Sequence, residues 1–382
     1  MRLRHGLFTL LVGSCLAAST AVAEIKIGLI TSLSGPIASI GVPYSKGTAA
    51  GVKYIPEIGG HKVTLIELDD ASDPSASTRN ARKLILEDKV DLILCCGGSP
   101  LTLAVSGVSY ELKVPLIAIA PIAVPGERGD WHIVAPISAD RMLAADVEHM
   151  KKRGIKTVGY IGYSDAWGDL VYNGLTKAAK PAGIAVITNE RYARADTSVT
   201  AQALKIVAAR PDAVLTGGSG TPGALPHIAL AERGFKGPVY STIAVVNPDF
   251  IRVAGPAAEG IILPISPVMV AEQLPDSNPI KKVALAFRDV YAKTHGAPTN
   301  DVFSAYAFDG YLLFANAAKK ALETAKPGTL EFRAALRDAM IRTSELVGSS
   351  GIYNYKPGNR YGLDERAQVM VKLEKGKWVL LQ

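Results

Sequence analysis

Unbroken apolar strands constrain this chain more than any other feature of its sequence. "VDLILCC" (90–96), "VPLIAIA" (114–120) and "DAVLTG" (212–217) show little alternation of polar and apolar residues. A strand of that kind is covered on both faces, which is the condition of a parallel sheet packed between helices. The stretches between such strands have helical character; "SASTRNARKLILEDK" (75–89) offers Ser and Thr as N-caps ahead of an amphipathic run. The alternation runs from "EIKIGLITSLSGP" (24–36) to residue 121. It starts again at "DRMLAADVEHMKKRG" (140–154) and continues through "KTVGYIGYS", "IAVITNERY" and "PDAVLTGG" to "GPVYSTIA" (237–244). A length of 382 residues accommodates two ordinary domains. The expected fold class is α/β, with two Rossmann-like lobes on parallel sheets.

The two halves share a further detail. "VDLILCCGGSP" precedes a helix and "KVPLIAIA", and "PDAVLTGGSGTP" precedes a helix and "KGPVYSTIA". The common Asp, Gly-Gly-Ser and Pro point to one lobe built twice. In open parallel sheets, ligands sit beyond the carboxyl ends of the strands. Glycine there lets the backbone approach a ligand, and the helix that follows offers free N–H groups and the positive end of its dipole. Ser99 adds a hydroxyl in the first lobe; Ser219 and Thr221 add two in the second. Two such ends facing across a cleft suit a small carboxylate.

Motifs for catalysis do not assemble. "GGSPL" and "GGSGT" lack the last glycine of a nucleophile elbow, and neither H-E-x-x-H nor a Walker loop occurs. His61, His132, His149, His227 and His295 have no ligand spacing, so no metal is expected. Asp69, Asp70 and Asp73 read as Asx-turn and capping residues. One motif favours an enzyme: Gly218–Gly223, "GSGTPG", matches G-x-G-x-x-G after a strand. The next strand ends in "YSTIA", without the acid that would hold a ribose, and Pro222 interrupts the motif. An NAD-dependent dehydrogenase is the remote alternative; otherwise no cofactor is expected.

The first 23 residues have the pattern of a secretory leader: Arg2 and Arg4, an apolar run from Leu7, then Ala21-Val22-Ala23. Its apolar run falls short of the ~20 residues of a spanning helix. Cleavage after Ala23 leaves 359 of the 382 residues and, with two arginines gone, a formal charge of +5 instead of +7. The expected location is the periplasm, with lipidation at Cys15, in "LVGSC", as the lesser alternative. Scattered lysines and arginines give no nucleic-acid surface. Cys95 and Cys96 read as two small buried hydrophobes rather than a bridge, because neighbouring cysteines rarely pair without strain.

These residues together resemble the leucine/isoleucine/valine-binding family of periplasmic solute-binding proteins, the receptors of ABC importers. "IKIGLITSLSGPIASIG" resembles the family's opening strand and turn, and "IELDDASDPSASTRNARKLI" its second-strand signature. "AEGIILPISP" resembles a crossover between lobes and "FSAYAFDGYLLFANA" a late helix. The resemblance implies a hinged type I binding protein, a monomer with no chemistry of its own, that closes on a ligand and delivers it to a membrane permease. A ligand-sensing receptor of the same fold is the alternative. It further implies a first lobe of residues 24–140 plus 268–346 and a second of 141–263 plus 351–382. Hinge crossings fall near 138–141, 263–268 and 346–351.

The family's carboxylate-binding turn falls on Gly98 and Ser99. Its next strand end falls on Pro121 to Val124, with Ile122, Ala123 and Val124 in the site and Ile122 and Val124 as amide donors. An aromatic ligand wall falls on Trp167. Ser219, Gly220 and Thr221 occupy the second-lobe turn, with Ser219 where the family has an aromatic. Ile243 or Ala244 stands where an acid would pair with an α-ammonium. An ammonium without a partner is costly to desolvate. The expected ligand is therefore a carboxylate with a flat apolar body, such as a benzoate or cinnamate. A branched-chain amino acid stays open if Asp165, Asp249 or a water replaces the missing acid.

Overall fold

The computed structural model describes residues 23–124 and 126–381. Residues 1–22, with Cys15 and nearly all of the expected leader, lie outside the described residues. The first sheet comprises β1 (Ile25–Thr31), β2 (Glu57–Ile58), β3 (His61–Asp69), β4 (Leu92–Cys95), β5 (Leu116–Ala118) and β6 (His132–Val134). Its spatial order is β2-β3-β1-β4-β5-β6. All neighbours are parallel except the β2–β3 hairpin. The connections are α1 (Ala38–Tyr54), α2 (Pro74–Leu86) and α3 (Ser99–Leu112). Asp73 caps α2 by accepting from the Ala76 amide, and Asp69 and Asp70 accept turn amides and hydroxyls. No cluster of metal-ligating side chains forms among the described residues.

After α4 (Ala139–Lys152) the pattern repeats. β7 (Thr157–Tyr163), α5 (Ala166–Ala182), β8 (Ala185–Tyr192), α6 (Thr200–Ala209) and β9 (Ala213–Gly217) come first. α7 (Ala224–Glu232), β10 (Val239–Tyr240), α8 (Pro248–Ala254) and β11 (Ile262–Ile265) follow. The chain then returns to the first lobe for α9 (Pro279–His295), α10 (Phe303–Ala321), α11 (Leu330–Ile341) and a small hairpin of β12 (Leu346–Val347) and β13 (Ile352–Tyr353). It ends in the second sheet as the antiparallel strands β14 (Val369–Glu374) and β15 (Lys377–Leu380). That sheet runs β8-β7-β9-β10-β11-β14-β15. The order β3-β1-β4-β5-β6 of one lobe thus recurs as β8-β7-β9-β10-β11 in the other, so the two Gly-Gly-Ser turns follow equivalent strands.

The last passage between lobes differs from the expected 346–351. Asp309, buried on α10, accepts the amides of Ser349 and Ser350 and the Tyr353 hydroxyl, which ties that segment to the first lobe. Tyr355 then donates to the Val134 carbonyl, the Val134 amide donates to the Arg360 carbonyl, and Tyr361 donates to the Ile122 carbonyl. The chain leaves only beyond Tyr361, and Gln368 reaches the Arg141 carbonyl at the edge of the second lobe.

Cys95 and Cys96 are fully buried, as the sequence implies. The structure brings their two sulfurs together at the end of β4. Both sit where β4 runs into its turn, and no third cysteine of the described residues competes for either.

Candidate functional site

On the first lobe, β4 gives way to Gly97, Gly98 and Ser99. Gly98 is the N-cap of α3 in extended backbone and makes no side-chain cap, with Pro100 in the first turn. The Ser99 and Leu101 amides have no partner within the helix itself. The Ser99 hydroxyl donates to the Pro121 carbonyl at 2.6 Å, so its proton is held within the lobe. Ile40 and Tyr44, one turn apart on α1, form the adjoining wall. Phe303, at the start of α10, meets the Tyr44 ring edge-on with centroids 5.6 Å apart.

On the second lobe, Asp165 caps α5 by accepting from the Trp167 and Gly168 amides. Its other oxygen accepts from Arg194 Nε at 2.6 Å. Arg194 Nη1 donates to Ser219 Oγ at 2.8 Å, and the guanidinium lies 4.1 Å from the centre of the Tyr163 ring. Tyr163 donates to the Ser219 carbonyl and Trp167 Nε1 to the Gly218 carbonyl. Arg194, on the loop after β8, is thus held by a carboxylate, a hydroxyl and an aromatic face. A rigidly held guanidinium is pre-organised for a carboxylate.

The two surfaces enclose one cavity. Ile40, Tyr44, Gly97, Gly98, Ser99, Ala120, Pro121 and Phe303 line it from the first lobe; Trp167, Arg194, Ser219 and Ala244 line it from the second. Arg194 is the only charged residue among these. Of the residues expected from sequence, Gly98, Ser99, Trp167 and Ser219 come together here.

Others do not line it. Ile122 packs against Ala118 and Val134, Ala123 is exposed, and Val124 packs on the same small cluster. β5 ends at Ala118, so the wall falls on Ala120 and Pro121 and the segment 122–124 runs on past the cavity. Ile243 is buried beside the wall that its neighbour Ala244 forms. Gly220 and Thr221 meet α1 of the opposite lobe instead: the Thr221 amide donates to Ser39 Oγ at 3.0 Å. The stretch Gly218–Gly223 therefore faces protein where a dinucleotide would have to lie. Asp249 pairs with Arg252.

Sequence reasoning missed Arg194, Ile40, Tyr44 and Phe303. Nothing in "RYARADTS" separates Arg194 from a surface arginine; only the folded positions of Asp165, Tyr163 and Ser219 do so.

Two α/β lobes of matching topology, with strand ends facing across one cavity, define a two-lobed ligand-binding receptor. The chain belongs to the periplasmic binding protein family, whose model matches residues 24–360. An extracellular ligand-binding receptor of Rhodopseudomonas palustris is 42% identical, with a TM-score of 0.90 over 94% of this chain and 100% of that one. A Leu/Ile/Val-binding protein of Rhizobium johnstonii is 26% identical over 97% of each chain. A leucine-binding protein of Thermotoga maritima, 21% identical, shares the fold with a TM-score of 0.80 over 94% of this chain and 98% of that one. The family and fold are those of solute-binding receptors.

Proposed function

We propose that this protein is a periplasmic receptor of an ABC importer, and that it captures a monocarboxylate with a flat apolar body between its lobes. The carrying observation is the charge pattern of the cavity. Arg194 is its one cation, and Asp165 already accepts from Arg194 and from two α5 amides. A carboxylate gains a guanidinium and the free amides of α3; an α-ammonium gains no acid. Trp167, Tyr44 and Phe303 supply aromatic walls for the ligand body. The cavity is lined from both lobes, so the ligand enters as the lobes part. No helix among the described residues is long and apolar enough to cross a membrane.

The test is a thermal-shift and calorimetric screen of the processed protein, in which cleft ligands stabilise the folded state by mass action. Benzoate and cinnamate are expected to raise Tm more than leucine, isoleucine or valine. Strong stabilisation by leucine with none by either aromatic acid refutes the ligand class.

A further inference from the structure

We infer that Ser39 and the Gly220–Thr221 turn form a latch that sets how firmly the lobes close, acting on ligand affinity without touching the ligand. The Ser39–Thr221 bond joins residues 182 positions apart, on opposite lobes. Ser39 and Ile40 are consecutive on α1 and line two different pockets. Ile40 lines the ligand cavity, and Ser39 lines a second groove of about 420 Å³ that also takes in Asn247, Pro248 and Asp249 of the second lobe. The latch therefore sits between that groove and the ligand cavity.

Gly220 makes the contact possible. Its φ of +57° with ψ of −158° belongs to a region that side-chain-bearing residues avoid. A Cβ there would lie 2.8 Å from Ser39 Oγ and 3.1 Å from Ile40 Cγ1. The Gly220 amide donates to the Ala244 carbonyl, which fixes the turn against a wall of the cavity. The latch thus bears on the same turn that carries Ser219, the partner of Arg194. Ser39 and Gly220 are positioning residues: closure is favoured by the contact, and apparent affinity scales with the closed fraction.

This inference rests on the two-lobed receptor reading, and the experiment separates the two. In ligand-free protein, Ser39→Cys with Gly220→Cys is oxidised and the 39–220 link is sought by peptide mapping. Because the Gly220 substitution strains the turn, Ser39→Cys with Thr221→Cys is run beside it. A cross-link in either pair is expected; its absence in both correctly folded pairs overturns the latch. Cinnamate and leucine are then titrated against Ser39→Ala and Ser39→Leu. Loss of one hydrogen bond is expected to weaken whichever probe binds about three- to tenfold. Ser39→Leu, a good helix former that overfills the gap, is expected to weaken it further. Faster dissociation, an unchanged ligand-free Tm and an unchanged ratio between probes mark a closure effect. Wild-type affinity in Ser39→Leu overturns the latch. Failure of both probes on the wild type refutes the ligand class alone, since the cross-link is read without ligand.

Discussion

Arg194 concentrates the electrostatics of the cavity, and its contacts define what its removal does. Arg194→Gln keeps some hydrogen bonding but loses the charge. Cinnamate affinity is expected to fall about ten- to a hundredfold, the range of a charged hydrogen bond lost from a shielded site. Arg194→Lys is expected to recover little, because one ammonium cannot span Asp165 and Ser219 as the fork does. Ser99→Ala is expected to cost less than Arg194→Gln, because its hydroxyl proton already serves the Pro121 carbonyl. Equal losses in calorimetric titration would contradict this ranking. Ser99 was legible from its turn, since glycine and serine at a strand end carry a local signal. Arg194 was not, because its role comes from residues 29 and 25 positions away.

A second residue-level consequence concerns pH. Burial lowers His227 to about 3, and its Nε2 lies 3.0 Å from the Thr216 hydroxyl. The unfolded chain binds a proton there below about 6.5. Between that value and about 3 the unfolded state holds the extra proton, so this group makes stability fall as pH falls. The slope is at most about 1.4 kcal/mol per pH unit. Asp146 and Asp309, both raised chiefly by burial, act with the opposite sign, since the folded state retains their protons. The histidine contribution is isolated by comparison with His227→Gln. Urea unfolding from pH 7 to 5 is expected to give a flatter dependence in the variant, and parallel curves would exclude the assignment.

At the scale of elements, α1 links stability to the site. It carries Ser39, Ile40 and Tyr44 on its first turns and packs along α10 through Gly47 and Gly51. A Cβ at Gly47 would collide with the Ser304 carbonyl, which is backbone and cannot swing aside. Gly47→Ala is therefore expected to push α1 from α10 at a cost of about 1–3 kcal/mol. The melting temperature should drop by several degrees, and cinnamate should bind more weakly as Ile40 and Tyr44 shift. Wild-type melting would show that α10 yields. The central strands β4 and β9 were legible because their unbroken apolar runs fit a parallel sheet covered on both faces. The short end of β5 was not: "LIAIAPIAV" stays apolar past Ala118, so composition gave no sign that the strand stops there. The site consequently moved from Ile122–Val124 to Ala120 and Pro121.

At the scale of the molecule, two lobes that each have their own sheet meet over one cavity lined from both sides. On the proposed reading, capture is a rigid-body motion, with the passages after Val134, after Ile265 and beyond Tyr361 as the segments that bend. Small-angle scattering of the wild type is expected to give a smaller radius of gyration with saturating cinnamate than without it. Trp167, which lies in the wall, should report the same transition through its fluorescence, with the same midpoint. Ser39→Leu should keep the larger radius at cinnamate concentrations that saturate the wild type, because its added bulk clashes with the Gly220–Thr221 turn of the other lobe. Cinnamate recovered after long incubation should be chemically unchanged, since the cavity brings Arg194 no nucleophile–base pair. Compaction of Ser39→Leu to the wild-type radius would mean that the lobes close without the Ser39 contact, and a fluorescence change without compaction would place ligand binding within one lobe.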